Sequence, residues 1–472
     1  MQFDEVTTSA DAAVSGDLWR GDGGWAFLER LCDECHGRFA GSADERRAAD
    51  IILAAFRDIG LQQIHEEAFE YDGWTRGAPA TLRLLPEGTA VRTFSLPGSP
   101  AGKVEAELVD FGSATDDDIS RAGKQLDGRI ALTSAATPPR AKAMHRNEKV
   151  ARAARRGALA VLWMRDEAGQ LGETGSLFFR DAPQIPGISV TREDGLRLAR
   201  WLQQGRQVRL ALATDDTPRR MTSWNLLGEL TGTDRPDEVV LIGAHYDGHD
   251  IAEAALDNGS GLAAIVEAAR ILARHRQALR RTVRFIAFGV EELGLYGAHA
   301  YAAAHSAELD GLRLLFNLDT IAQPGAVKGV DIQRRPELRP ALEEIGRAMG
   351  EPFPIDDHLS MYSDQFPFVL KGAPAAVMTN PDAPHTVGRG VGHTTADTLD
   401  KVHRLSLKLA ALFTARLALY VANAPEWPAK RWTDDQTRSE MEQAGVRQTM
   451  ETEGTWPWPG APTAQSGGAT GG

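Results

Sequence analysis

Carboxylates and imidazoles recur at four separated points of the sequence: His245 with Asp247 and, shortly after, Asp257; Glu291 with Glu292; Asp319; and His393. Oxygen and nitrogen donors of these kinds are ligands that a divalent ion such as zinc accepts. Two such ions about 3.5–4 Å apart need one bridging carboxylate and two further protein ligands each. His245, Asp257, Glu292, Asp319 and His393 fill that count, and Glu291 is left as a proton acceptor. Asp247 lies two residues beyond His245 on an extended segment, so it points to the same side. Its carboxylate is expected to accept the imidazole N–H and fix the metal-binding tautomer. His249 has no vacancy in this count and reads as a loop or substrate-pocket residue, and Asp250 is left unassigned.

Taken singly, each group has an ordinary explanation. Asp257 precedes "NGSGLAAIVEAA" and can cap that helix. Glu291 and Glu292 suit the first turn of a helix, Asp319 a turn, and His393 a surface loop. What joins them is the set of elements that must present them. "EVVLIGAH", "TVRFIAFGV", "LRLLFNLD" and "APAAVMTN" read as buried strands, separated by amphipathic helices such as "GLAAIVEAARILARHR". That alternation predicts an α/β fold with a mostly parallel central sheet and helices on both faces. Sites in open sheets of this kind form beyond the carboxyl ends of the strands. Each of the four runs is followed there by an acidic or imidazole group.

Before this core, "GWAFLERLCDEC" and "SADERRAADIILAAFRDIGL" read as helices, the second with Ser42 as N-cap and Gly60 as its stop. Cys32 and Cys35 form a CxxC, but they share an apolar stripe with Phe27, Leu28 and Leu31. With His36 as the local additional ligand, core packing is the better reading than a structural zinc. From about 99 to 214, short buried strands such as "DGRIALTS" and "GALAVLWM" make a small α/β module able to close on itself. Within it, "RNEKVARAARRG" reads as a solvated helix face. After about 430 the sequence becomes charged and then rich in Gly, Pro, Ser and Thr, which predicts a flexible tail over 431–472.

A chain of 472 residues, 42% hydrophobic and 25% charged, has a globular make-up and exceeds one ordinary core. Its net charge of −13 argues against a nucleic-acid partner. No uninterrupted apolar stretch reaches membrane-spanning length. The acidic start, "MQFDEVTTSADAAVSGDLW", lacks the basic and apolar regions of a secretory signal, which points to the cytoplasm for the chain as written. A processed start would make it secreted.

Together, "GAHYDGHD…ALDNGSG", "FGVEELGLYGA", "NLDT" and "GHTTADTLDKV" resemble the zinc-dependent aminopeptidase family. That family includes bacterial leucyl aminopeptidases, carboxypeptidase Q and glutamate carboxypeptidase enzymes, glutaminyl cyclases and the transferrin receptor. "RFAGSADERRAADIILAAFRDIGL" and "YSDQFPFVLKGAPAAVM" extend the resemblance over most of residues 25–424. It implies a zinc-exopeptidase α/β fold whose peptidase domain spans 1–98 and 215–430, with a protease-associated (PA) domain inserted at 99–214. It further implies two zinc ions, which cobalt or manganese can replace, bridged by Asp257. One would be completed by His245 and Asp319, the other by Glu292 and His393, with Glu291 as general base and Asp247 orienting His245. The short spacing from His245 to Asp257 resembles the carboxypeptidase Q branch. Gln365 stands where relatives often carry His, which bears on the substrate pocket, as do Tyr362, Asp364 and Arg389. The expected activity is hydrolysis of the N-terminal bond of a peptide substrate. Alternatives on the same fold are dipeptidase or carboxypeptidase action, glutaminyl cyclisation, and a receptor-like protein without catalysis.

Overall fold

The computed structural model describes residues 2–177, 184–383 and 390–459. Two eight-stranded sheets organise it. The first has the spatial order Gln62–Thr75, Thr217–Leu230, Arg281–Phe288, Arg235–His245, Leu312–Asn317, Ala375–Thr379, Gly329–Asp331, Ile355–Asp356. Its four central strands, from Arg281–Phe288 to Ala375–Thr379, run parallel, as the alternation of strands and helices predicts. The strands that flank these four pair antiparallel to them.

Side chains on a strand alternate between faces, and here both faces are buried. Val240, Ile242 and Ala244 join one core with helices Ser260–Arg274 and Arg404–Asn423. Leu241, Ile286 and Phe288 join the other, with helices Tyr296–Ala304 and Gln365–Leu370. Cys32 and Cys35 are buried free thiols in the first core, where burial pushes them up to about 12 and about 11. Arg404–Asn423 is long and apolar enough to cross a bilayer, yet it packs between Ser260–Arg274 and Glu5–Leu18. Its Arg416 meets the Asp11 carboxylate through two hydrogen bonds of 2.6 and 2.8 Å. At the chain's early helix, Ser42 caps Ala43–Ile59 and Gly60 closes it at φ 83°.

The second sheet has the order Thr89–Val91, Thr81–Leu85, Arg209–Thr214, Gly102–Gly112, Ile130–Ser134, Ala160–Met164, Gly187–Val190, Phe94–Ser95, and it has its own apolar clusters. It takes in residues from 81 onward rather than from 99. Thr81–Leu85 pairs with Arg209–Thr214, and Phe94–Ser95 pairs with Gly187–Val190.

Two other expectations are corrected. The basic run forms helix Arg146–Ala154, but Lys149, Val150, Ala151, Ala153 and Ala154 are buried. Lys149 donates to the carbonyls of Ser134, Ala135 and Ala136 at 2.8–3.1 Å, so its charge ties the helix to a strand end. The segment after 430 is not tail throughout: Asp434–Gln443 and Arg447–Glu453 are helices. Met441, Val446 and Met450 insert into the second core, while Asp434, Asp435 and Glu442 are exposed. The rest of the expected tail, 460–472, lies outside the described residues.

Candidate metal centre

Strand register brings the site together. Gly243 pairs with Asn317, so His245 and Asp319, each two residues further on, leave the sheet side by side. His245 pairs with Phe288, which sets Glu291 and Glu292 just past the same level on the neighbouring strand. Asp257 sits in a turn before the helix, with non-helical φ −112° and ψ 97°. That helix begins at Ser260 with Gly259 as N-cap, so the Asp257 carboxylate is not spent on capping. Likewise, the helix after Glu292 starts only at Tyr296.

The side chains converge. His245 Nε2 lies 3.4 Å from Asp257 Oδ1 and 3.6 Å from Asp319 Oδ1. His393 Nε2 lies 3.2 Å from Asp257 Oδ2 and 3.1 Å from Glu292 Oε2. Asp257 therefore offers one oxygen to each half of the cluster. Glu291 shares a compact group with His245 and Asp319, their ligand atoms within 4.8 Å of one another.

Asp247 fills its expected place by a different contact. Its carboxylate stands 3.8 Å from His245 Nδ1, and the atom bonded to that nitrogen, at 3.1 Å, is the Asp247 main-chain carbonyl. The carboxylate itself accepts the backbone N–H groups of Glu291 and Glu292 at 3.0 and 3.2 Å. Asp247 thus fixes both glutamates as well as the histidine.

Around these residues lies a supporting layer. Asp397 accepts Leu256 N at 2.7 Å and Asp257 N at 3.0 Å. The Asn258 side chain bonds Leu318 O, Gly261 N and Thr320 N, which ties the Asp257 turn to the strand that ends at Asp319. Gly261 is needed in this tie, because a Cβ there would stand 2.5 Å from Leu318 O. Asp319 is held by Thr320 Oγ1 and Ser363 Oγ at 2.9 and 2.8 Å. Arg38, fully buried, donates to the carbonyls of Tyr246, Glu253 and Ala254 and pins the loop between His245 and Asp257. Asp397, Asn258 and Arg38 all fall within the quoted motifs, but their work is done on main-chain groups of distant loops, which no spacing rule reveals.

His393 is anchored by the insert. Thr174 N donates to His393 O at 2.9 Å, Thr395 N donates to Gly172 O at 3.1 Å, and Glu173 bridges Thr394. The buried Arg165 guanidinium donates to Gly390 O at 2.5 Å.

Of the expected substrate residues, Asp364 is buried within reach of the charges of His245, Asp247, Asp319 and Glu292. Tyr362 stacks on His145 of the insert, ring centroids 4.1 Å apart, and donates its hydroxyl to Glu453 at 3.1 Å. Gln365 belongs to a buried network, accepting from Asn317 and donating to Ser360 O. Arg389 lies outside the described residues.

The donor set fits metal ions. Six carboxylates (Asp247, Asp257, Glu291, Glu292, Asp319, Asp364) meet three imidazoles (His245, His249, His393) in a largely buried space, an imbalance that calls for cations. His245 Nε2, Glu292 Oε1, both ring nitrogens of His249 and both oxygens of Asp364 have no hydrogen-bond partner among the described residues. Burial opposes charge on Asp257, but His245 and His393 hold its carboxyl well below the ordinary range. Glu291 goes the other way: burial raises it well above that range, and Asp319, Glu292 and Asp364 add to the effect against His245. A cavity of about 630 Å³ opens elsewhere, lined by Arg235, Arg281 and Arg313 at the opposite ends of the same strands.

A doubly covered α/β sheet with this donor cluster at its carboxyl edge, joined to a second α/β module, has the architecture of the zinc exopeptidases. Residues 225–418 match the model of peptidase family M28 and residues 104–198 that of the PA domain. The chain thus carries a region similar to peptidase family M28 and, earlier in the sequence, one similar to the PA domain. It is 28% identical to carboxypeptidase Q of Bos taurus over 302 residues, 62% of this chain and 63% of that protein, so the match spans just under two thirds of the relative's length. The peptidase M28 precursor of Shewanella amazonensis SB2B shares the fold, with a TM-score of 0.79 at 23% identity over 91% of this chain and 99% of that one. The aminopeptidase of Aneurinibacillus sp. strain AM-1 aligns with a TM-score of 0.66 at 26% identity, over 87% and 96% of the two chains.

Proposed function

We propose that this protein is a two-zinc exopeptidase that removes the N-terminal residue of peptides. The observation that carries the reading is Asp257, whose two oxygens face His245 on one side and His393 on the other. One ion would be held by His245, Asp319 and Asp257, the other by Glu292, His393 and Asp257. Bound there, the metals would supply Lewis acidity, acidifying a water and polarising the scissile carbonyl.

The chain's own residues account for the remaining steps. Glu291, with its backbone N–H fixed by Asp247, accepts the proton of the attacking water on its carboxylate and returns it to the departing amine. The Asp364 carboxyl, without a hydrogen-bond partner among the described residues, and its acidic neighbours make a surrounding that suits a substrate's α-ammonium group.

A defined peptide library digested with and without chelator, products identified by mass spectrometry, tests the reading. Stepwise loss of N-terminal residues, abolished by the chelator and restored by zinc, is expected. Trimming from the C-terminus, or cleavage confined to dipeptides, would refute aminopeptidase action. Ammonia loss without peptide-bond cleavage would identify a cyclase. Unchanged activity in protein shown to be metal-free would refute the metal itself.

A further inference from the structure

Spacing gives His249 no task, yet the fold seats it inside the cluster. Its side chain is 4% exposed and its Nε2 stands 2.9 Å from Glu292 Oε2. The ligand atoms of His249, Glu292 and His393 all lie within 4.8 Å of one another. Donor atoms about 2.0–2.1 Å from a tetrahedral zinc lie roughly 3.3 Å apart, and the separations around Glu292 and His393, 2.9 to 3.2 Å, are of that size.

The ordinary alternative is a core histidine satisfied by hydrogen bonds, and the contacts do not support it. Nδ1 has no hydrogen-bond partner among the described residues, which is costly for a buried imidazole, and the one polar group beside Nε2 is the Glu292 carboxylate at 2.9 Å, itself within reach of His393. Phe39 covers the ring at a centroid distance of 6.2 Å, and His393 meets it edge-on at 4.5 Å. The backbone on either side is tied down. Gly248 N donates to Arg38 O at 3.3 Å, and Asp250 takes two hydrogen bonds from the Arg76 guanidinium at 2.7 and 2.8 Å. An imidazole fixed on both sides, enclosed, and set with its Nε2 against a carboxylate that also faces His393 is built as a ligand.

We propose that His249 is a protein ligand of the second metal position, together with Glu292, His393 and the bridging Asp257. This rests on the two-metal reading above. It makes the two positions chemically unequal. The first has one imidazole, His245, with the carboxylates of Asp257 and Asp319; the second has two imidazoles with Asp257 and Glu292. Imidazole suits zinc and cobalt, whereas carboxylate-rich sites suit manganese, so the second position selects zinc over manganese more strongly than the first.

The test uses the full chain stripped of metal and titrated with zinc against a competing chelator. Wild type is expected to take two equivalents. His249→Phe, which keeps a ring against Phe39, should keep the first affinity and weaken the second by about a hundredfold or more, beyond the 10–100-fold that loss of a supporting contact gives. Cobalt should report the same change as an altered visible spectrum of the second equivalent alone. A second measurement needs no variant: in cadmium-loaded wild type with labelled histidine, three ring nitrogens, from His245, His249 and His393, should show scalar coupling to the metal. Coupling from His245 and His393 alone, or two zinc affinities in His249→Phe within threefold of wild type, would overturn the proposal. Wild type that binds fewer than two equivalents would overturn the two-metal reading and this proposal with it.

Discussion

Asp397→Asn probes the support of the bridging aspartate without touching a proposed ligand. The Asp397 carboxylate accepts Leu256 N at 2.7 Å and Asp257 N at 3.0 Å, and it is 2% exposed. Asparagine keeps the size but offers one acceptor, so its amide N–H₂ must face one of the two main-chain N–H groups. One hydrogen bond to a charged group is lost, worth about 1.5–3 kcal/mol, and two buried donors, the main-chain N–H and the amide that faces it, are left unmet. Transmitted to the Asp257 turn, a loss of about 1.4–2.7 kcal/mol corresponds to a 10–100-fold weaker grip on metal, the range seen when supporting contacts are removed. Since Asp257 faces both halves of the cluster, both zinc affinities should fall together. The assay is zinc titration against a chelator, with circular dichroism to show that the variant is folded. Zinc affinities within twofold of wild type in a folded Asp397→Asn protein would refute the claim that these two hydrogen bonds fix the bridge.

Glu291→Gln should retain both zinc ions, measured by atomic emission, and lose turnover by about 10²–10⁴-fold, the usual contribution of a positioned general base. Arg165→Ala removes the guanidinium that holds Gly390 O and should weaken the second zinc by about tenfold while sparing the first, read by the same chelator titration. Glu453, buried beneath the Tyr362 hydroxyl, is pushed up to about 7 by burial, with Glu148 adding and Tyr362 opposing. The folded state then holds this proton more tightly than the unfolded chain does. Its contribution is fully present below about pH 4.5 and is lost as pH rises towards 7, by up to about 3 kcal/mol. Glu453→Gln should flatten that part of the stability–pH curve in urea unfolding.

The strands and the candidate ligands were legible because each is announced locally. An apolar run gives a buried strand, and the first acidic or imidazole group beyond it sits at the sheet's carboxyl edge, as with His245 and Asp319. Contacts that cross the chain were not legible. The spacing of Asp247 from His245 indicated a carboxylate–imidazole bond, but the loop's turn hands that bond to the main-chain carbonyl and sends the carboxylate to Glu291 N and Glu292 N. His249 escapes a count of ligands, which treats a site as closed once the count is filled, whereas the fold sets its Nε2 2.9 Å from Glu292. The helices after 430 are not legible because Met441, Val446 and Met450 are too sparse among charges to mark an amphipathic face. The capping box that Thr433 and Gln436 form was the local signal available for the first of them.

The insert has a structural part in the site that follows from where His393 comes from. His245, Glu292 and Asp319 leave adjacent parallel strands, and Asp257 is tied to the end of one of them through Asn258, so their positions are set by the peptidase core. His393 instead stands on a loop with a left-handed backbone, φ 59°, whose main-chain bonds run to Gly172 and Thr174 of the insert. The C-terminal helices reinforce the same junction from the other side: Arg155 of the insert donates to Thr452 O, and Tyr362 is clamped between His145 and Glu453. Motion of the insert would therefore pull on His393 and Tyr362 before it reached the ligands on the strands.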